Sequence, residues 1–297
     1  MKNVQIFIGC LFCLCIPYTV SATTVQIKDE DEKIKQIELS DYLLLHQMDM
    51  FIDWKRINHL TEQISELITK PPENAILDKE GNIESGKTGL TLDKRAFEEL
   101  IGDAVVNQVQ QDLDVPKKKL YPQVDTELLQ QIKKNRLGTY TTFFKQTNKE
   151  RTNNIQLATE AINNHVIFPG DAFSFNDTVG KRTQERGYLR APVIVKGELS
   201  EGIGGGICQV SSTLYNAVDS IGMDIKKRYS HSRSVPYVPP GRDATVSWYG
   251  PDFVFENPYS QPILIRAFSE KGKMIVTLYS SDAVRIKRRD VPELKSS

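Results

Sequence analysis

The chain predicts an α+β protein in which a helix carrying a cysteine at its N-terminus packs on a mainly antiparallel sheet, preceded by a small helical/α+β domain. Three observations lead there. In the first half, Ile57, Leu60, Ile64, Leu67 and Ile68 recur at helical spacing. In the second half, short β-branched and aromatic runs follow one another between turn residues. Among those runs, Gly204-Gly205-Gly206 leads into Val210, Leu214, Val218 and Ile221, again helically spaced and closed by Gly222.

The elements follow in order. Lys2, an apolar run over residues 4–16 and the small residues Val20-Ser21-Ala22 read as a signal peptide, 1–22, cleaved after Ala22. An uncleaved membrane anchor is the competing reading, but Pro17 and Tyr18 interrupt the run. Too little apolar chain precedes Cys10 for a lipoprotein signal. The charged residues 23–36 read as a flexible leader. Residues 40–69 read as helix, stopped by Pro71-Pro72. Glycines 81, 86 and 89 then punctuate short strands over 75–92. A second helix opens near Asp93, with Phe97, Leu100, Ile101 and Ala104 on one face, and a third spans about 126–134. This region, 23–136, holds no catalytic constellation. The second domain, 137–281, begins with strand material at 139–144. Asn153 and Gln156 form a capping-box pattern ahead of a helix that faces inward through Ile155, Ala158 and Ile162. Strands are expected at 166–168, 172–175 and 192–196, and, after the glycine-led helix, at 225–229, 235–238, 244–249, 253–256, 262–268 and 274–279. Residues 282–297 read as a basic polar tail around Arg285, Lys287, Arg288 and Arg289.

Composition narrows the function. The chain has 297 residues, 39% of them hydrophobic, which is enough for a packed core. Lysine plus arginine equals aspartate plus glutamate at 38 each, which argues against a nucleic-acid partner. Cys10, Cys13 and Cys15 lie in the signal, so the mature chain keeps a single thiol, Cys208, and no internal disulfide. A lone thiol on an exported protein is open to oxidation and calls for an explanation. It is either a buried small hydrophobe or a working nucleophile.

A glycine-rich helix start favours the second reading. Its unpaired N–H groups and dipole stabilise a thiolate, and the same amides can hold an acyl oxyanion. A plain turn with a packing cysteine explains the same residues, whereas a phosphate loop lacks its GxxxxGK[ST] pattern. A nucleophile needs a base. His46, His59 and His165 sit in or beside helices, where they read as surface or interhelical residues. His231 falls in a loop between expected strands and is the candidate base. Asp243 is a candidate third member, although it could instead pair with Arg242 or Arg233 or cap a turn. No Cys/His cluster has metal-ligand spacing, so neither a metal nor another cofactor is expected.

These segments resemble the VanW family. The likeness runs through Gly204-Gly205-Gly206-Ile207-Cys208-Gln209-Val210-Ser211-Ser212-Thr213-Leu214-Tyr215-Asn216-Ala217. Upstream it includes Phe168-Pro169-Gly170-Asp171-Ala172-Phe173-Ser174-Phe175-Asn176, Val179-Gly180 and Gly187-Tyr188. Downstream it includes His231-Ser232, Val235-Pro236-Tyr237-Val238 and Gly241-Arg242-Asp243-Ala244-Thr245-Val246, covering about 139–279 in all. More faintly, about 75–130 is similar to the peptidoglycan-binding domain often joined to VanW domains. The resemblance implies an exported protein of Gram-positive cell walls, in a family found in some vancomycin-resistance clusters. It implies a cysteine acyltransferase, an L,D-transpeptidase that forms 3-3 cross-links between peptidoglycan stem peptides. Cys208 would be the nucleophile, His231 and Asp243 its catalytic partners, and Gly205, Gly206, Gln209, Ser232, Tyr237 and Arg242 the substrate and oxyanion contacts. Membrane contact would be limited to the signal peptide unless that stays uncleaved. Two alternatives remain at this level: a wall endopeptidase or carboxypeptidase using the same residues, and a non-catalytic peptidoglycan-binding protein whose Tyr188, Tyr215, Tyr237 and Trp248 line a groove.

Overall fold

A computed structural model describes residues 23–46, 49–195 and 198–294. The signal segment, with Cys10, Cys13 and Cys15, lies outside the described residues. Contacts gather into two units that interleave along the chain. The first holds the residues up to Glu73 and Thr88–Tyr121; the second holds Asn74–Lys87 and everything from Pro122. A single cut at residue 136 would not separate them.

The first unit opens on an antiparallel pair, β1 (Thr24–Asp29) and β2 (Glu32–Glu38). The charged leader expected at 23–36 is therefore sheet. Its charges hide a two-residue alternation that buries Val25, Ile27 and Ile37 and leaves Glu32 and Lys33 outside. A 3-10 turn and a second hairpin, β3 (Leu43–His46) and β4 (Asp49–Ile52), occupy most of the segment expected to begin the first helix. That helix, α1 (Trp54–Ile68), starts only where Asp53 caps it by accepting the Arg56 N–H at 3.1 Å. Ile57, Leu60, Ile64 and Ile68 face inward, while Leu67 is 67% exposed because Ile68 already fills that turn of the stripe.

A short hairpin follows, β5 (Ile76–Leu77) and β6 (Ile83–Glu84), that belongs to the second unit. The chain then returns to the first unit as β7 (Gly89–Leu92), α2 (Lys94–Asn107) capped by Asp93, β8 (Leu113–Asp114) and β9 (Lys117–Leu120). β8 runs parallel to β1, and β9 pairs antiparallel with β7. Phe97, Ile101 and Ala104 of α2 meet the inner face of α1 in this unit's core.

The second unit continues with α3 (Thr126–Ile132), β10 (Asn135–Phe143), α4 (Lys149–Ile162), β11 (Val166–Ile167), β12 (Ala172–Ser174) and α5 (Phe175–Val179). A hairpin of β13 (Arg190–Val195) and β14 (Glu198–Ile203) leads to α6 (Ile207–Ser220). Then come β15 (Asp224–Lys227), β16 (Val254–Glu256), β17 (Ile263–Glu270) and β18 (Lys273–Ser280). The main sheet, ordered β10-β18-β17-β11, is wholly antiparallel. α4 and α6 pack on it, and a smaller antiparallel sheet, β12-β16-β15, completes the α+β architecture. The β5–β6 hairpin is bound to this unit through Arg266, which donates to the carbonyls of Leu77 at 2.7 Å and Asp78 at 2.5 Å.

Four more expectations need correction. α4 begins at Lys149, capped by Asn148; Asn153 is inside the helix and donates to the Gly187 carbonyl at 2.8 Å. Residues 235–238 form a turn, because Pro236, Pro239 and Pro240 have no N–H to offer a ladder. Residues 244–249 form no strand either, since their backbone is bonded mainly to side chains of α6 and to local turns. Nor are the last described residues a free tail. Val284 is buried, the Arg289 N–H donates to the Ser220 carbonyl, and the Pro292 carbonyl accepts from Tyr140 Oη. Among the described residues, no helix is long and apolar enough to cross a membrane.

Candidate active site

The glycine triplet is a packing device, and each member has a different neighbour. Gly206 is the N-cap of α6 at φ 108°; a Cβ there would sit 2.9 Å from Arg151 Cγ and 3.1 Å from Ile155 Cγ1 of α4. At Gly205 a Cβ would come within 2.6 Å of the carbonyl oxygens of both Ala191 and Pro192 on β13. At Gly204, φ 87°, it would lie 3.3 Å from Arg182 Cβ and Cγ. Only glycine lets the loop run between two arginine stems and a strand backbone. Asn154 secures it from α4: its Nδ2 donates to the carbonyls of Gly205 and Leu189, and its Oδ1 accepts the Leu189 N–H.

Cys208 follows, half-buried in the first turn of α6, where amide N–H groups have no acceptor within the helix. Its Sγ is 3.5 Å from the Val246 carbonyl and 3.7 Å from Thr245 Oγ1. The rest of α6 is buried all round, and its polar side chains organise the facing segment. Ser211 Oγ donates to the Ala244 carbonyl at 2.6 Å, the Ala244 N–H donates to Ser212 Oγ at 2.9 Å, and Asn216 Nδ2 donates to the Arg242 carbonyl at 2.8 Å. These bonds do the work of a sheet ladder and fix the backbone on either side of Asp243.

Asp243 Oδ2 accepts both the His231 backbone N–H and His231 Nδ1–H, each at 2.6 Å. An ionised carboxylate can only accept, so Nδ1 carries the proton and Nε2 is left for the sulfur. His231 and Cys208 are coupled, each shifting the protonation of the other. The side chains of His231 and Asp243 are 5% and 9% exposed, so the pair works in a dry setting.

Burial pushes the Cys208 thiol up, but the hydrogen bond and positive charge of His231 outweigh it, and the thiol lies below its ordinary range. Burial pulls His231 down, yet its bonds to Cys208 and Asp243 raise it above the usual imidazole value. Asp243 is held below its ordinary value by the two His231 bonds, against burial. All three directions favour a thiolate–imidazolium pair.

The remaining expected site residues separate into groups. Burial keeps the Tyr237 phenol protonated, well above its usual value, and the charge of Cys208 adds to that effect. Gln209 is 1% exposed and committed: its amide N–H donates to the Gly206 carbonyl, its Oε1 accepts from Arg151 at 2.6 Å, and its Nε2 donates to Thr142 and Phe143. Arg242 stacks 4.6 Å from the Tyr215 ring and pairs with Asp219, which also receives Arg289. Arg228 covers the same ring at 4.8 Å and donates to the carbonyls of Gly241 and Asp243. Arg242 thus braces the loop. Ser232 is exposed. Tyr188 and Tyr215 are core residues, 2% and 7% exposed, and of the four aromatics proposed for a groove only Trp248 is open to solvent, with Tyr237 half-buried. His59 contacts Gln63 on α1, and His165 packs edge-on to Phe173. Among the described residues no three His, Cys, Asp or Glu side chains come together as a metal site.

Arg151 and Arg182 escaped the sequence reading, as did Thr245. Both guanidinium groups are pulled down by burial, an effect opposed by several charges that include Cys208. Their place beside Gly206 and Gly204 is a property of packing that no spacing in the chain reports.

Comparison with known proteins assigns this region to a family. Residues 150–279 match the family model described as "VanW like protein". That stretch includes Cys208, His231 and Asp243. The chain is 46% identical to "Uncharacterized protein YoaR" of Bacillus subtilis (strain 168) over 293 residues, 99% of this chain and 96% of that one. No solved structure matches. On these grounds, the chain belongs to the VanW family.

Proposed function

We propose that this protein is an exported cell-wall enzyme, a cysteine-dependent L,D-transpeptidase of peptidoglycan. The observation that carries the reading is His231, held through Nδ1 by Asp243 at 2.6 Å and coupled in its protonation to Cys208. A residue that merely packs needs no such relay. In the proposed reaction the Cys208 thiolate attacks the carbonyl of the third, L-configured residue of a donor stem. The N–H groups of the first turn of α6 hold the oxyanion, with the Cys208 amide better placed than the engaged Gln209 amide. The carbon–nitrogen bond breaks, His231 gives its proton to the departing amine, and a thioester forms. An acceptor amine then loses a proton to His231 as it attacks the thioester, giving a 3-3 cross-link and restoring the thiol.

The test is intact-mass spectrometry of the protein with a disaccharide-tetrapeptide, beside Cys208→Ser. A thioester adduct on the wild type alone, followed by dimer formation, supports the transpeptidase. An adduct that yields only free tripeptide makes the protein a hydrolase. No adduct and no product from folded protein with bound substrate makes it a binding module.

A further inference from the structure

Arg182 carries a polar group at this site that the protein leaves without a partner. Among the described residues its Nη1 is buried and makes no hydrogen bond. Its other terminal nitrogen, Nη2, donates to Asn176 Oδ1 at 2.8 Å. Asn176 is itself held by the carbonyls of Ser247 and Pro251 and by Asp252, so the guanidinium cannot swing freely. The Arg182 stem lies against Gly204. The side chain therefore joins the two segments that flank Cys208: the glycine loop before it and the Val246–Ser247 backbone facing its sulfur.

An unpartnered N–H on a buried cation is costly, and an anion relieves that cost most fully. The described residues supply none. Asp252, the carboxylate whose field reaches Arg182, is committed to Ser174 Oγ and to the N–H groups of Asn176 and Phe253. Nor does Cys208 serve, since its charge is matched by that of His231.

We propose that Arg182 Nη1 receives the free carboxylate of the acyl donor, making a terminal carboxylate one residue beyond the attacked carbonyl a requirement for reaction at Cys208. This rests on the nucleophile reading above. In such a donor the carboxylate is joined to the scissile nitrogen through one carbon, close enough for one guanidinium whose stem lines the glycine loop to hold it. The amine released from the thioester takes its proton from His231 and departs as a free amino acid with its carboxylate still charged. A donor blocked as a carboxamide, or continued by a further residue, presents no anion there. The side chains that now cover Nη1 must shift as the carboxylate enters, and the charge-assisted bond offsets that shift.

The test uses two small alkylating agents that differ in one charge, iodoacetate and iodoacetamide, on the full chain. The ratio of their rates at Cys208 cancels any change in the thiol's own ionisation. Arg182→Gln is expected to lower the iodoacetate-to-iodoacetamide ratio about tenfold, and Arg182→Lys to keep part of it. Melting temperatures of both variants identify any that fail to fold; if Arg182→Gln fails, the partial drop in Arg182→Lys decides. An unchanged ratio in folded variants, with Cys208 reactive, overturns the role of Arg182 and leaves the nucleophile standing. If Cys208 of the wild type reacts with neither reagent, the nucleophile reading falls and the carboxylate site with it.

Discussion

Replacing Asp243 by asparagine removes a charge while leaving a hydrogen-bond acceptor in place. In the wild type a single oxygen, Oδ2, takes both the His231 N–H and Nδ1–H at 2.6 Å. An asparagine carbonyl in the same position can accept both, so geometry survives and only the charge assistance goes. Charged and neutral hydrogen bonds differ by about 1–2 kcal/mol, which is about tenfold in the population of the thiolate–imidazolium pair. The sign follows from the directions of the shifts. Cys208 is depressed and His231 raised, so wild-type thiolate persists at pH values where an ordinary thiol is protonated, and it is lost as pH falls through the depressed value. In Asp243→Asn the reactive limb moves to higher pH, and above the ordinary thiol range the two proteins converge. The assay is the rate of Cys208 alkylation by iodoacetamide against pH, with about a tenfold loss expected near neutrality. Asp243→Ala goes further, because it strands a buried His231 N–H at about 1–3 kcal/mol and should lower the melting temperature by several degrees as well. If the Asp243→Asn profile overlies that of the wild type, the charge on Asp243 does not sustain the pair and the relay argument fails.

Two further substitutions test the scaffold. Gly206→Ala imposes both a left-handed backbone and a contact 2.9 Å from Arg151 Cγ, whereas Gly241, φ 75°, has nothing within 4 Å of its Cβ position. Thermal unfolding should therefore show about 1–2 kcal/mol lost at Gly241→Ala, from backbone strain alone, and clearly more at Gly206→Ala; equal losses would mean that the glycine loop is not tightly packed. Asn154→Ala removes three hydrogen bonds from a residue that is 0% exposed, one to Gly205 of the glycine loop and two to Leu189. A loss of about 2–4 kcal/mol is expected by denaturant titration, and a change within 0.5 kcal/mol would show that other contacts hold the loop.

The parts of this fold that were legible from the chain are those governed by one-sided burial. α2 and α6 announce themselves because their apolar residues recur with the helical period, and aspartate or glycine stands where each begins. Segments 235–238 and 244–249 look like strands by composition, yet they bond to prolyl turns and to Ser211 and Ser212. Side-chain ladders of this kind have no periodicity to read. At 23–36 the error ran the other way, since a charged outer face masked Val25, Ile27 and Ile37 beneath it. The site divides likewise. Cys208, His231 and Asp243 could be found because their chemistry is distinctive. Arg151 and Arg182 could not, because an arginine beside a glycine loop looks in sequence like any surface charge.

The interleaving of the two units has a consequence for how the molecule withstands damage. The chain passes from one to the other after Glu73, after Lys87 and after Tyr121. A protease that severs any one of these passages leaves two covalent tethers intact, and the detached end stays paired within its own unit. Neither unit can be shed by a single nick, nor transplanted to another protein at a single junction.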